Sequence, residues 1–326
     1  MADSYLFTVF TATYNRAHTI HRVFDSLCAQ TLRDFEWIVV DDGSNDNTAA
    51  LIEGWAKKAD FPVRCFRQNH SGKHVAYNLA VREARGLFFA PLDSDDAFLP
   101  DSLERIIIHW NSIPEVEREV FSGVGGLCCD QYDVLIGDRF PTSPFDSNFG
   151  DMIYRHRIRG EKWGITRTDL VRRYPFPEVP GTQFVPEGLI GLQMARYKRR
   201  YINEVFRIYY RNEYKEPGKN LSHRASLVSN AAGRLPYYIW LLDKEIGYFW
   251  HSPVPFLKAA VMLPLAAQAS GQSLRQALQS VRGLAARLLI VLMLPVTLML
   301  RSSEEALIRC KRRGNGRVHD ASNNDD

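Results

Sequence analysis

Three carboxylates occupy four positions at Asp93-Ser94-Asp95-Asp96, directly after the apolar run Leu87–Leu92. Such groups repel one another unless a cation or hydrogen-bond donors lie between them. Oxygen-only ligands suit Mg2+ or Mn2+, and Mg2+ is commonly held by one or two carboxylates together with substrate phosphates. A solvated acidic turn capping the next helix, with Asp101 in support, accounts for the same residues without a metal. A second cluster, Asp41-Asp42-Gly43-Ser44, also follows an apolar run. As structure it is a turn in which Gly43 is free to take positive φ; as chemistry, a carboxylate there accepts hydrogen bonds from a base or ribose. Thr13-Tyr14-Asn15-Arg16 offers an aromatic ring for a base and an arginine for phosphate, and reads equally as a loop entering a helix. In Asn69-His70-Ser71-Gly72-Lys73-His74, Lys73 and His74 open a helical pattern whose N-terminus favours anions. His70 and His74 are four apart, but Gly72 lies between them and no Cys or Glu has metal spacing, which argues against zinc. Gly123-Val124-Gly125-Gly126 is not a dinucleotide fingerprint: Cys128 takes the last glycine position, and the run follows the fourth strand rather than the first.

The elements that must position these groups alternate. Tyr5–Thr13, Phe35–Val40, Val63–Phe66 and Leu87–Leu92 read as strands by their β-branched and aromatic content. Between them, Ile20, Val23, Phe24, Leu27 and Cys28 mark one face of a helix, and Leu51, Ile52 and Trp55 a second, with Asp46 or Thr48 as its cap. Val75–Ala84 is a third. This spacing predicts βαβ units and a parallel sheet, in which ligands bind outside the carboxyl ends of the strands, where both acidic clusters fall. Residues 131–220 are less regular and rich in Pro, Gly and aromatics, as suits loops closing over a site. From about 222 the pattern turns helical and apolar, and Ser273 and Gln276 have capping-box spacing.

Composition bounds the rest. With 326 residues, 45% hydrophobic and 24% charged, the chain is globular, and its length suits one large domain plus an appendage. A net charge of +4 from 41 basic and 37 acidic residues is too weak to imply nucleic acid. Five cysteines without a metal-type pair point to a reduced, cytosolic compartment. The N-terminus carries an acidic residue where a signal peptide would be positive. No uninterrupted apolar run reaches the ~18 residues of a spanning helix. Leu288–Leu300 contains Pro295 and Thr297, and extension to Leu284 takes in Arg287, so a full span is not favoured. An interfacial helix is expected instead, with Arg275 and Arg282 on one face and Leu278, Val281, Leu284, Leu288 and Leu292 away from it, followed by Arg309, Lys311, Arg312 and Arg313.

Taken in order, TxTYNR, QTLRDFEWIVVDDGSNDNT, NHSGKHVAYNLA and LDSDD resemble the donor-binding half of family 2 glycosyltransferases of GT-A fold, over about residues 5–100. A weaker similarity, through GEKWGITRTDL and FVPEGLIGLQMARYKRRYINEVFRIYY, is to the acceptor half of members in bacterial exopolysaccharide and lipopolysaccharide assembly. The resemblance implies an α/β, Rossmann-like GT-A domain over residues 1–220, its mostly parallel sheet flanked by helices. Residues 1–130 would be the nucleotide-sugar half and 131–220 the acceptor half, succeeded by a helical, membrane-associating region (221–313) and a polar tail (314–326). It implies Tyr14 and Asp42 as uracil contacts, with Thr13, Asn15 and Arg16 in the same nucleotide-sugar site and Lys73 near ribose and diphosphate. Asp93, Asp95 and Asp96 match the DxD neighbourhood holding the donor ribose and Mg2+ or Mn2+. The family's base usually sits in an acidic pair; here the place reads Pro186-Glu187-Gly188, leaving Glu187 alone.

The activity implied by this resemblance is inverting transfer of a sugar, most simply from UDP, to a glycan or polyprenyl-diphosphate-linked acceptor at the cytoplasmic face of the inner membrane. A nucleotidyltransferase would want a glycine-rich loop after the first strand, and TATYNRAHTI has no glycine. A non-catalytic nucleotide-sugar-binding or membrane scaffold protein is the other rival, against which the intact acidic clusters argue.

Overall fold

The computed structural model describes residues 4–211 and 230–316, with side chains as far as Arg301. The chain divides into two compact units, residues 1–237 and 238–326. The expected boundary near residue 220, the side chains of Arg309, Lys311, Arg312 and Arg313, and the tail after residue 316 lie outside the described residues.

The first unit is built on a nine-stranded sheet in the order β3-β2-β1-β4-β8-β6-β9-β5, with β7 paired to β9. Its strands are β1 (Tyr5–Thr13), β2 (Phe35–Asp41), β3 (Val63–Arg67), β4 (Gly86–Pro91), β5 (Ala97–Phe98), β6 (Phe121–Cys129), β7 (Phe145–Ser147), β8 (Lys162–Arg167) and β9 (Lys198–Ile208). The helices are α1 (His21–Cys28), α2 (Thr48–Ala56), α3 (Lys73–Glu83), α4 (Ser102–Asn111), α5 (Thr168–Arg173) and α6 (Gly188–Gln193). The four strands expected from the sequence are parallel to one another. The expected parallel pairing extends to β9 on β6, and the sheet also carries antiparallel members: β8 returns antiparallel to both β4 and β6, and β5 and β7 pair antiparallel with β9. These strands follow loops rather than crossover helices, so nothing forces them parallel.

All seven residues of β2 are buried, the mark of a strand covered on both faces. Alternation divides its side chains. Trp37 and Val39 join Phe7, Val9 and Phe88 against Val23, Leu27 and Ile106, while Ile38 and Val40 join Phe10 and Phe89 against Ala76, Ala80 and Val171. Helix α2 starts at Thr48 without a side-chain cap; Asp46 instead accepts from the Thr48 amide and hydroxyl, tightening the entering turn. Helix α3 begins at Lys73, ahead of the apolar pattern that marks it in the sequence. Gly72 before it has φ +95°, and a Cβ there would lie 2.1 Å from the Gln183 carbonyl oxygen, so only glycine fits.

The second unit begins within α7 (Ala231–Lys244) and contains α8 (Pro253–Ala269), α9 (Leu274–Gln279) and α10 (Leu284–Gly316). The Ser273–Gln276 capping box forms, with both reciprocal bonds present. Two expectations are corrected. Arg275 and Arg282 do not share a helix, because the chain turns between α9 and α10, where the Arg282 and Gly283 amides donate to Asp243 Oδ1 at 2.7 and 2.9 Å. Pro295 does not end the apolar helix, which continues past it. The Thr297 hydroxyl donates to the Met293 carbonyl at 3.2 Å in the same turn. Leu284–Arg301 has a mean hydropathy of 2.0, long and apolar enough to cross a membrane, and only 17% of it is buried. Val281 is buried, whereas Leu284, Leu288, Val291 and Leu292 are exposed along one side of α10.

Candidate active site

Strands β1, β2 and β4 end side by side, with Thr13 in register with Asp41 and Phe10 with Pro91, so three of the sequence clusters emerge at one edge of the sheet. The loop after β1 is tied to the loop after β2. The Asn15 amide donates to Ser44 Oγ at 2.9 Å, the Asn45 amide to Asn15 Oδ1 at 2.8 Å, and the Arg16 amide to Thr48 Oγ1 at 3.0 Å. Asn15 takes φ 53°, a conformation its short polar side chain tolerates. Thr13 is buried beneath with no partner for its hydroxyl.

Asp42 is 4% exposed. Its carboxylate accepts from Gln68 Nε2 (2.7 Å), the Ser71 amide (2.8 Å) and the Gly72 amide (2.9 Å), and His70 Nδ1 lies 2.9 Å from Oδ2. It thereby shapes the loop that leads into α3. The His70 ring in turn stacks on Tyr14, with centroids 3.9 Å apart and planes 20° apart. Tyr14 and Asp42 are thus linked through His70, a residue whose sequence spacing suggested only a metal ligand.

The acidic cluster after β4 is divided among three cations. Lys73, from the first turn of α3, bridges Asp93 Oδ1 and Glu187 Oε1, the second at 2.7 Å. Arg207 on β9 is 7% exposed and reaches Asp96 Oδ2 at 3.4 Å, Asp93 Oδ2 at 3.7 Å and Glu161 Oε2 at 3.2 Å. Asp95 is the open member: its side chain is 41% exposed and meets the Arg16 guanidinium only at 3.9 Å. Burial opposes the charge on Lys73, but Asp93 and Glu187 outweigh it and hold the ammonium above the ordinary lysine range. Burial likewise works against the Asp93 carboxylate, and Lys73 and Arg207 overcome it, keeping that carboxyl below its ordinary value. Asp96, 1% exposed, is pushed up to about 8 by burial, against Arg207 and with Asp93 and Asp95. Among the described residues no three His, Cys, Asp or Glu side chains gather around one point.

Glu187 precedes α6, with its side chain 67% exposed, and its ion partner is Lys73. Sequence reasoning missed Arg207 and Glu161. The signal for Arg207 was one charged residue inside the aromatic strand run Val205-Phe206-Arg207-Ile208-Tyr209, since a charge so placed is buried and needs partners. Beside Lys73 and Glu187 opens a cavity of about 360 Å³, lined by aromatic and aliphatic side chains from α3, β8, α6, β9 and the segment 176–185.

Known proteins resemble this chain both in sequence and in the sheet. Residues 8–116 match the family model for Glycosyl transferase family 2. The UDP-Glc:α-D-GlcNAc-diphosphoundecaprenol β-1,3-glucosyltransferase WfaP of Escherichia coli is 30% identical over 176 residues, 53% of this chain and 65% of that one. Other curated relatives align over about 100 residues, and the chain covers 31%, 16% and 14% of the length of three of them. Among solved structures, S. aureus TarS 1-349 with UDP-GlcNAc has a TM-score of 0.55 at 18% identity, over 84% of this chain and 83% of that one. The mannosyltransferase PcManGT of Pyrobaculum calidifontis, with GDP-Man and Mn2+, has a TM-score of 0.51 at 20% identity, over 91% and 81%. The first unit therefore has the mixed-sheet fold of GT-A glycosyltransferases, and its residues 8–116 are similar to glycosyl transferase family 2.

Proposed function

We propose that the protein transfers a sugar, with inversion, from a UDP-sugar to a hydroxyl of a glycan or polyprenyl-diphosphate-linked acceptor in bacterial surface polysaccharide assembly. The observation that carries this reading is Lys73, which joins the DxD carboxylate Asp93 to Glu187 across the ends of β4 and α3. Tyr14, Asp42, Thr13, Asn15 and Arg16 form the nucleobase and ribose end, and Lys73 and Arg16 face the diphosphate. The WfaP name, with its UDP-Glc donor and diphosphoundecaprenol acceptor, supports donor and acceptor class.

Asp95 fits a divalent cation. It is exposed and lacks a close counter-charge, and one or two carboxylates plus substrate phosphates are a normal Mg2+ environment. Asp93 is already paired with Lys73, and buried Asp96, pushed up to about 8, is largely uncharged at neutral pH, so of the three expected ligands Asp95 is the one kept. Bound Mg2+ or Mn2+ supplies positive charge where the leaving diphosphate becomes more negative. Lys73, held charged by its two carboxylates, adds fixed positive charge on the other side. Glu187 takes the proton from the attacking acceptor hydroxyl, and its exposure leaves room for that hydroxyl to approach. In a thermal-shift series, UDP with Mn2+ should raise Tm, and Asp95→Asn should lose the Mn2+-dependent part. Equal shifts in the two proteins would remove Asp95 from the metal site. The absence of stabilisation by any nucleotide sugar would remove the glycosyl-transfer reading.

The second unit is assigned to the cytoplasmic face of the inner membrane. Its longest apolar stretch is mostly uncovered, and a polyprenyl-linked acceptor resides in a bilayer. Full-length protein should sediment with anionic liposomes at low salt, and a chain ending at residue 244 should stay in the supernatant. Full-length protein left in the supernatant would make α10 a helix that packs in water.

A further inference from the structure

The cavity beside Glu187 is distinct in composition from the nucleotide end. Its lining includes none of Tyr14, Asp42, Asp93 or Asp95, while Tyr77, Phe149, Phe176, Phe184 and Tyr201 supply broad apolar faces of the kind that pack against sugar rings. At about 360 Å³ it is at the small end of ligand sites, roughly the space of one or two sugar rings. Two polar side chains in its wall are incompletely partnered. His74 is 3% exposed, and neither ring nitrogen has a hydrogen-bond partner. Burial lowers its pKa, with Glu178 and Asp42 opposing, so the ring is neutral and offers one donor and one acceptor.

Arg199 is the second. It donates to Thr166 Oγ1, and burial, opposed only by Tyr201 and Tyr77, lowers its pKa. No carboxylate among the described residues pairs with it, whereas Lys73, Arg207 and Arg16 in the DxD cluster each meet an acidic partner. The strand glycines make its berth. A Cβ at Gly125 would come 3.3 Å from Arg199 Cδ, and one at Gly164 would come 3.1 Å from its Nη1. Nearby, the hydroxyl of the lining residue Tyr197 accepts from Arg196 Nη2 at 2.8 Å and Arg173 Nη1 at 3.1 Å, which adds positive charge. A partly buried guanidinium without a counter-ion, in a cavity of sugar-ring size, is costly unless an anion arrives with the ligand.

We propose that this cavity is the acceptor-sugar subsite and that Arg199 selects a saccharide bearing an anionic group, a carboxylate or a phosphate, while His74 binds a hydroxyl of the same sugar. The assignment to the acceptor rests on the glycosyltransferase reading; the anion preference is a property of the cavity itself. Calorimetric titration of the full-length protein with methyl glucoside, methyl glucuronide and glucose 1-phosphate tests it. At least one anionic sugar should bind about tenfold more tightly than the neutral one, as expected for a charge-assisted hydrogen bond, and which one does so names the group. Arg199→Met should remove the preference and Arg199→Lys keep part of it. Equal affinity for all three probes, no binding of any, or a preference that survives Arg199→Met would overturn the proposal. UDP-induced stabilisation of the same wild-type preparation reports on the donor site independently, so failure of the anion preference is distinguishable from failure of the transferase reading.

Discussion

Glu187→Gln is expected to lower the rate of sugar transfer by about 10²–10⁴-fold while UDP-sugar binding stays close to wild type. That is the usual contribution of a positioned general base. The amide keeps the shape of the side chain but cannot accept the hydroxyl proton. Because Glu187 is largely exposed and Lys73 keeps Asp93 as a partner, the substitution should leave the fold intact. Steady-state transfer rates alongside UDP titrations check both halves of the expectation. Transfer close to the wild-type rate would move the base elsewhere; equal loss of donor binding would recast Glu187 as a residue that positions Lys73.

Arg207→Met carries the largest expected effect on stability. The guanidinium is nearly inaccessible and sits among Asp93, Asp96 and Glu161. Removing one partner from a buried ionic cluster costs about 3–5 kcal/mol, because uncompensated charge is left inside. For a unit of this size that corresponds to a fall in Tm on the order of 10 °C. Adding Asp96→Asn should recover part of the loss, since Asp96 is the most buried of the three acids and has an oxygen with no hydrogen-bond partner. A single variant that melts with the wild type, or a double variant no better than the single, would show that the cluster does not hold this part of the sheet.

The parallel half of the fold was legible because its signals are local. Apolar runs of strand length alternate with helical periodicity, and turn residues sit between them, as in Thr13-Tyr14-Asn15-Arg16 and Asp41-Asp42-Gly43. The rest of the sheet was not, because the antiparallel pairing of β8 with β4 and the parallel pairing of β9 with β6 join residues far apart in the chain and depend on no turn motif. The same divide runs through the site. The acidic positions could be read off directly, but their division between Lys73, Arg207 and Arg16 could not, since each cation comes from a different element. The glycine run at 123–126, unexplained as a motif, is explained by neighbours brought in by the sheet: a Cβ at Gly126 would fall 2.3 Å from the Phe206 ring. In the second unit, the proline in α10 was given too much weight, because a helix losing one hydrogen bond at Pro295 still gains from the apolar residues around it.

The placement of Arg207 on β9, the last described strand in chain order, sets an order of assembly during synthesis. When the ribosome has released β1 to β6, Asp93 and Asp96 are present but Arg207 is not, and β5 still lacks the strand it pairs with. Joining Asp96 to Arg207 closes a loop of roughly a hundred residues, a non-local step of the kind that slows folding. The acidic cluster after β4 thus gains its buried guanidinium only after β9 has emerged and zipped onto β6.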